Sequence, residues 1–285
     1  MSDLALDRLW GSLRGRALSQ SLLARLFADA AVIVVVLLWW LASRQLPDFV
    51  LPGPWATAKA FGRFFIDPSM TSAVVATTGR VVISVVAATV IGIGLAMLPY
   101  YLPSARDIVR ARILRLLNAM PSLGWALLAV IWFGVSDVSV VFAQTAILVP
   151  FCFFNVSQGI DEIDAELLEM ARSFTRTRVL VFRKVIIPAV APYVIAAARL
   201  AYGVSWKIAL IAELFGSESG LGYVMYQAQT VTDPATVIAT CLMIVMLFIL
   251  GDTLILRPLY RLASPQDRNG TRDRSGDTTG PRQWI

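Results

Sequence analysis

The chain has 285 residues, 57% of them hydrophobic and 15% charged, with a net charge of +6 and a mean hydropathy of +0.69. A soluble domain carries roughly 45–50% apolar and about 25% charged residues, so the excess here argues against one. The apolar residues stand in long blocks separated by short polar segments, the pattern of a lipid-embedded helical bundle. Lys and Arg cluster at the ends of those blocks, which suits anchoring at a membrane surface and not a nucleic-acid partner. Histidine is absent, removing imidazole catalysis and the usual zinc sites, and no metal site or catalytic constellation is expected. Cys152 and Cys241 lie inside apolar runs and read as packed thiols.

Residues 1–27 form a basic, partly amphipathic stretch with Leu9, Trp10, Leu13, Leu18, Leu22, Leu26 and Phe27. It reads as an interfacial helix leading into the first span and not as a cleavable signal peptide, whose apolar region would be shorter and nearer the start. Six candidate spans follow, at about 28–46, 74–98, 117–135, 138–158, 189–213 and 235–256. Pro121 and Gly124 interrupt the start of the third. Residues 28–263 thus form the membrane domain. The segment 264–285, rich in Asp, Arg, Gly, Thr and Ser, has nothing to bury and is expected to be a disordered cytoplasmic tail.

Loop charges set the orientation. Basic residues precede the first span (Arg8, Arg14, Arg16, Arg25) and follow the second (Arg106, Arg110, Arg112, Arg115). They recur after the fourth (Arg172, Arg176, Arg178, Arg183, Lys184) and after the sixth (Arg257, Arg261, Arg268). The alternate loops are poorer, with only Lys59 and Arg63 in the first and none in 134–137 or 214–234. Positive residues stay cytoplasmic, so both termini are expected inside. No internal repeat is visible, which argues against carriers built from inverted repeats.

The loop 161–188 is the most informative segment. Two short helices fit it, one starting at the acidic run 161–166 and one ending in Arg183 and Lys184. Leu167, Leu168, Ala171 and Phe174 fall at helical spacing and give the first an apolar face. A solvated connector has no need of such a stripe, so a partner surface is expected to cover it. In the bundle, Arg199 and Lys207 stand eight residues apart on nearly the same face of the fifth span, with Glu213 at its outer end. They could line a pathway for anions, or serve structure, with Arg199 on carbonyls and Lys207 snorkelling or paired with Glu213. Arg80 reads as an interfacial anchor, and Met120, Trp125 and Trp132 as either pore lining or packing.

Glu169-Met170-Ala171, Thr175 and Ile186-Ile187-Pro188 together resemble the EAA loop of ABC importer permeases. Further resemblances follow in order: Leu51-Pro-Gly-Pro54, Met120-Pro-Ser122 with Trp132-Phe-Gly134, and Ala212-Glu213 with Ser219-Gly-Leu-Gly-Tyr223. They cover roughly residues 48–260 and look like the sulfonate, taurine and nitrate-type branch. Met170 replaces the second Ala of the pattern and Thr175 its Gly; a left-handed Thr there would cost about 1–2 kcal/mol.

The resemblance implies an all-α type I importer permease in the cell inner membrane, acting as a homodimer. It implies that Glu169, Met170, Ala171, Arg172, Phe174, Thr175 and Pro188 meet a cytoplasmic ATPase dimer. It also implies that a periplasmic or lipid-anchored binding protein delivers the solute. No phosphate-cradling Gly-x-x-x-x-Gly-Lys-Ser/Thr run occurs, so ATP and Mg belong on the partner and the chain itself is not an enzyme. Two rivals leave the loop unexplained. An intramembrane enzyme would need Ser205 and Lys207 as a dyad, yet residues two apart on a helix do not face each other. An ion-driven carrier would need carboxylates in mid-bilayer, and Asp252 is the nearest candidate.

Overall fold

The computed structural model describes Phe27, residues 30–101, Ile108, residues 112–175 and residues 177–258. The tail 264–285, nearly all of segment 1–27, and Arg106, Arg110 and Arg176 lie outside the described residues. All secondary structure among the described residues is helical. In chain order the helices are α1 (Ala30–Gln45), α2 (Pro54–Ile66), α3 (Pro68–Tyr101), α4 (Leu114–Ala119), α5 (Ser122–Phe133) and α6 (Asp137–Asp161). Then come α7 (Ala165–Phe174), α8 (Arg178–Val181), α9 (Ile187–Gly216), α10 (Leu221–Thr230) and α11 (Pro234–Gly251).

Helix ends follow local chemistry. Ser136 caps α6 by accepting from the Ser139 amide at 3.4 Å. Asp164 caps α7 through the Glu166 amide at 2.9 Å, and Asp233 caps α11 through both the amide and the hydroxyl of Thr236. Pro54 and Pro234 stand in the first turns of α2 and α11, where a missing N–H costs nothing.

Four stretches are long and apolar enough to cross a membrane: Pro68–Pro99, Asp137–Asp161, Val179–Gly216 and Pro234–Leu256. They correspond to the second, fourth, fifth and sixth expected spans. At the places of the first and third stand shorter apolar helices, Ala30–Gln45 and Ser122–Phe133. The third is shortened by its own sequence. Met120 is held extended (φ −77°, ψ 128°) ahead of Pro121, so the expected span 117–135 divides into α4 and α5.

Two π-helical turns that stand ahead of prolines depart from the expected pattern. Phe182–Ile186 joins α8 to α9, and Asp252–Leu256 extends α11. In each the ladder slips to i→i−5, Ile187 N–H donating to Phe182 and Arg257 N–H to Asp252, one residue before Pro188 or Pro258. Proline cannot donate to the carbonyl four residues back, and the slip is set where the α ladder is broken. The helix expected to end at Arg183 and Lys184 therefore runs on into α9.

The centre of the bundle is α3, α6 and α9. Its core includes Val81, Val85, Ala88, Leu148, Cys152, Phe153, Val156, Ala197, Ala201 and Trp206. A smaller core of Trp125, Ala126, Ala129, Val140, Ala143 and Ala212 joins α5, α6 and α9. Many buried positions are alanines, while Val82, Ile83, Val86 and Val90 of α3 face outward. Small residues between helices and large apolar ones outside are what a lipid solvent selects, since lipid does not drive apolar side chains inward. Gly92 marks a close approach of α3 to α6: a Cβ there would lie 2.6 Å from the Cβ of Cys152 and 3.0 Å from the Phe153 nitrogen. Gly92→Ala should accordingly cost about 1–3 kcal/mol, read as a lower unfolding midpoint in detergent. Gly94→Ala, with open space around it, should leave that midpoint unchanged or raise it.

Candidate functional site: a buried ion network, an open cationic cleft and the loop 161–188

Arg80 of α3 is 4% exposed and completely surrounded by acceptors. Its Nη1 donates to Glu213 Oε1 at 2.7 Å and to the Ser219 carbonyl at 2.9 Å, and its Nη2 to Ser219 Oγ at 2.6 Å. Its Nε donates to Asp137 Oδ1 at 2.9 Å, and Nη2 meets the same oxygen. The sequence reading of Arg80 as an interfacial anchor is thus corrected. Its partner Glu213 is fully buried and belongs to Arg80, not to Lys207.

Glu213 also completes a helix end. Its Oε2 accepts from the Gly222 amide at 2.8 Å, while the Thr77 hydroxyl donates to the same carboxylate and accepts from the Leu221 amide at 2.8 Å. The first turn of α10 is therefore capped by side chains from α9 and α3, since its own cap residue, Gly220, has none to offer. Gly220 adopts φ +100°, and a Cβ there would sit 2.5 Å from the Glu213 carboxyl. Only glycine satisfies both conditions.

The second constellation lies nearer the other end of α9. Arg199, Gly203, Trp206 and Lys207 line an open cleft of about 810 Å³ against Val245, Phe248 and Asp252 of the α11 segment. Arg199 donates to Asp252 through Nε at 2.9 Å and Nη2 at 3.3 Å, and Arg257 Nε donates to the same carboxylate at 3.0 Å. Arg199 thus pairs with a carboxylate and not with helix carbonyls. Lys207 is exposed and has no partner among the described residues. Asp252 is held by two cations, and Ser205 is buried with its hydroxyl on Gln144 Oε1 at 3.1 Å. Ser205 and Lys207 face different surroundings, as a dyad could not. Met120 and Trp125 lie apart from this cleft, packed with the smaller core. Trp125 is buried, its Nε1 donating to the Leu117 carbonyl at 3.5 Å.

The loop 161–188 is entered through a polar joint. The Tyr193 hydroxyl donates to Glu162, and Gln158 Nε2 donates to its other oxygen at 2.9 Å. These bonds, the tyrosine first, hold the Glu162 carboxyl below its ordinary range. Beyond it, α7 divides its apolar residues. Leu168 packs on the core and Ala171 is half-buried, while Leu167, Met170 and Phe174 are exposed, Phe174 at 83%. Glu169, Arg172 and Pro188 are exposed as well. Thr175 is extended (φ −151°, ψ 136°), so the turn carries no left-handed threonine and no strain. Its Oγ1 accepts from the Thr177 amide at 3.2 Å.

Removing one partner of the buried pair strands the other charge. Arg80→Ala or Glu213→Ala should each cost about 3–5 kcal/mol, and the double variant clearly less than their sum. Asp137, 76% exposed, should cost about 1 kcal/mol or less as Asp137→Asn. Thermal unfolding of the four variants in detergent checks both expectations.

Residues 88–258, more than half of the chain, match the family described as binding-protein-dependent transport system inner membrane component. The taurine transport system permease protein TauC of Escherichia coli (strain K12) is 28% identical over 240 residues, covering 81% of this chain and 86% of that protein. The nitrate import permease protein NrtB of Synechococcus elongatus is 23% identical over 208 residues, covering 68% and 73%. Among solved structures, an inward-facing MetNI methionine ABC transporter gives a TM-score of 0.56 at 20% identity, over 68% of this chain and 98% of that one. An amino acid ABC transporter gives 0.55 at 19% identity, over 73% and 97%. With its apolar spans and this match, the chain belongs to the family of binding-protein-dependent transport system inner membrane components and is the multi-pass permease part of an ABC importer.

Proposed function

We propose that the chain works as one of two identical permease subunits that cross the membrane six times with both termini in the cytoplasm. Each copy seats its loop 161–188 on a separate ATPase subunit of a dimer. ATP and Mg are handled there, and a periplasmic or lipid-anchored binding protein supplies the solute from the opposite side. The observation that carries this reading is the unpaired apolar stripe of α7. Leu167, Met170 and Phe174 fall at i, i+3 and i+7 and stay exposed between charged neighbours, on the loop that the basic residues assign to the cytoplasm. Glu169, Arg172, Ala171 and Thr175 frame that stripe, and Pro188 with its π turn makes the outgoing helix continuous with α9. Movement of α7 then reaches the spans through rigid helix on one side and the Glu162–Tyr193 joint on the other.

The solute is a small anion of the taurine, sulfonate or nitrate kind. The relatives' names support this, as do the two cations facing the cleft, Arg199 and Lys207. An exposed Lys in an apolar span requires water or a second protein surface beside it, and the face between two permease copies supplies both.

The test is co-purification of the tagged chain with its ATPase, wild type against Glu169→Ala/Phe174→Asp. Losing an apolar anchor of this size costs about 2 kcal/mol or more, so the double variant should retain about 30-fold less ATPase. Equal retention, or solute uptake by vesicles without ATP, would overturn the proposal.

A further inference from the structure

Arg80 of α3 and Arg199 of α9 both meet carboxylates, and they differ in how far the protein satisfies them. Every nitrogen of Arg80 has a protein acceptor and its side chain is 4% exposed. Arg199 engages Asp252 through the Nε–Nη2 edge alone, its side chain is 44% exposed, and its remaining donors have no partner among the described residues. Arg199 and Lys207 both line the cleft. Lys207 lies two helical turns further along α9, about 12 Å of rise, on nearly the same face of the helix and at the edge of the same cleft. The charge around the cleft does not balance. Arg199 and Lys207 line it beside one carboxylate, Asp252, which Arg257 from outside the cleft already satisfies in part.

The geometry points to a transient oxyanion site in this cleft. A sulfonate or similar small oxyanion sits on the open edge of Arg199 and receives Lys207 from the other side, and Asp252 keeps the site weak. This rests on the proposed transport of anions through the cleft and adds to it where the anion is held and why it leaves. A planar guanidinium fork suits the oxygens of a sulfonate, and a flexible ammonium adds charge without demanding geometry. Asp252 sits where a tight-binding design would place nothing. It competes for the same guanidinium, and a translocation path needs a site strong enough to admit the ion yet weak enough to release it. The tie between α9 and α11 and the weakness of the site are then one interaction.

The experiment is equilibrium binding of radiolabelled ethanesulfonate to the permease–ATPase complex in lipid nanodiscs, without binding protein, in low-chloride buffer. Arg199→Gln should abolish binding, and Lys207→Met, at an exposed position that does not affect folding, should weaken it about tenfold. Asp252→Asn should tighten it about tenfold by freeing Arg199 of its competitor, while uptake slows because release slows. Methanesulfonamide, of similar shape without the charge, should not compete. Binding that is unchanged by Lys207→Met, or that falls in Asp252→Asn complexes of normal size and ATPase content, would overturn the oxyanion site and leave the importer reading standing. Failure of every variant and of wild type to hold the ATPase would instead strike the importer reading.

Discussion

A guanidinium enclosed by protein at membrane depth must find an acceptor for every donor, and Arg80 finds them on three other elements. Glu213 comes from α9, Asp137 from the start of α6 and Ser219 from the turn before α10. The pair is not a bonus added to a stable core. Desolvating both groups costs several kcal/mol, and the surrounding N–H and O–H donors are what bring the balance back. The backbone turn at Gly220, the missing side chain at the α10 cap and the placement of Thr77 all serve that carboxylate. One end of the bundle is thereby fixed in a single arrangement, because any shift of α10 would leave Glu213 short of partners.

The opposite half is held in another way. Between α9 and the α11 segment the polar tie is Arg199–Asp252, partly exposed and partly satisfied. Close by, Tyr202 stacks on Phe248 and donates to the Leu247 carbonyl at 3.1 Å. Gly251 accommodates that tyrosine, since a Cβ there would lie 2.0 Å from its hydroxyl oxygen. Solvated ion pairs exchange partners at small cost whereas buried ones do not. A transporter that opens to one side and then the other needs that inequality: one end that keeps its shape and one whose contacts can be remade.

The apolar blocks announced the long helices because lipid imposes length and composition directly, and α3, α6, α9 and α11 fall where hydropathy puts them. What hydropathy could not give was partnership. Arg80 looks like an interfacial anchor in its own segment, and Glu213, which redefines it, stands 133 residues away. The signal available was weak: an arginine and a glutamate, each near one end of an apolar span, with no nearer counter-ion. Thr175 was open in the sequence between an ordinary turn and a strained one. The family pattern has glycine there, and the extended backbone is the ordinary turn, which asks for no left-handed residue. On α7 the periodicity was right about a helix and incomplete about its faces, since Leu168 and Ala171 turn to the core while Met170 joins the exposed stripe.

The π turns before Pro188 and Pro258 reset the angular register of the chain. Each lets one additional residue into a turn, and one residue is worth about 100° of rotation on a 3.6-residue helix. A helical wheel drawn straight through Phe182–Ile186 would therefore place the basic pair Arg183 and Lys184 on the wrong side relative to Arg199 and Lys207. The same holds at Asp252, where the slip sets the azimuth at which Arg257 meets the carboxylate that Arg199 also uses. Two prolines outside the cleft thus decide which way the charges at these helix ends point. A substitution at either would act as a rotation of the helix end and not as the loss of a contact.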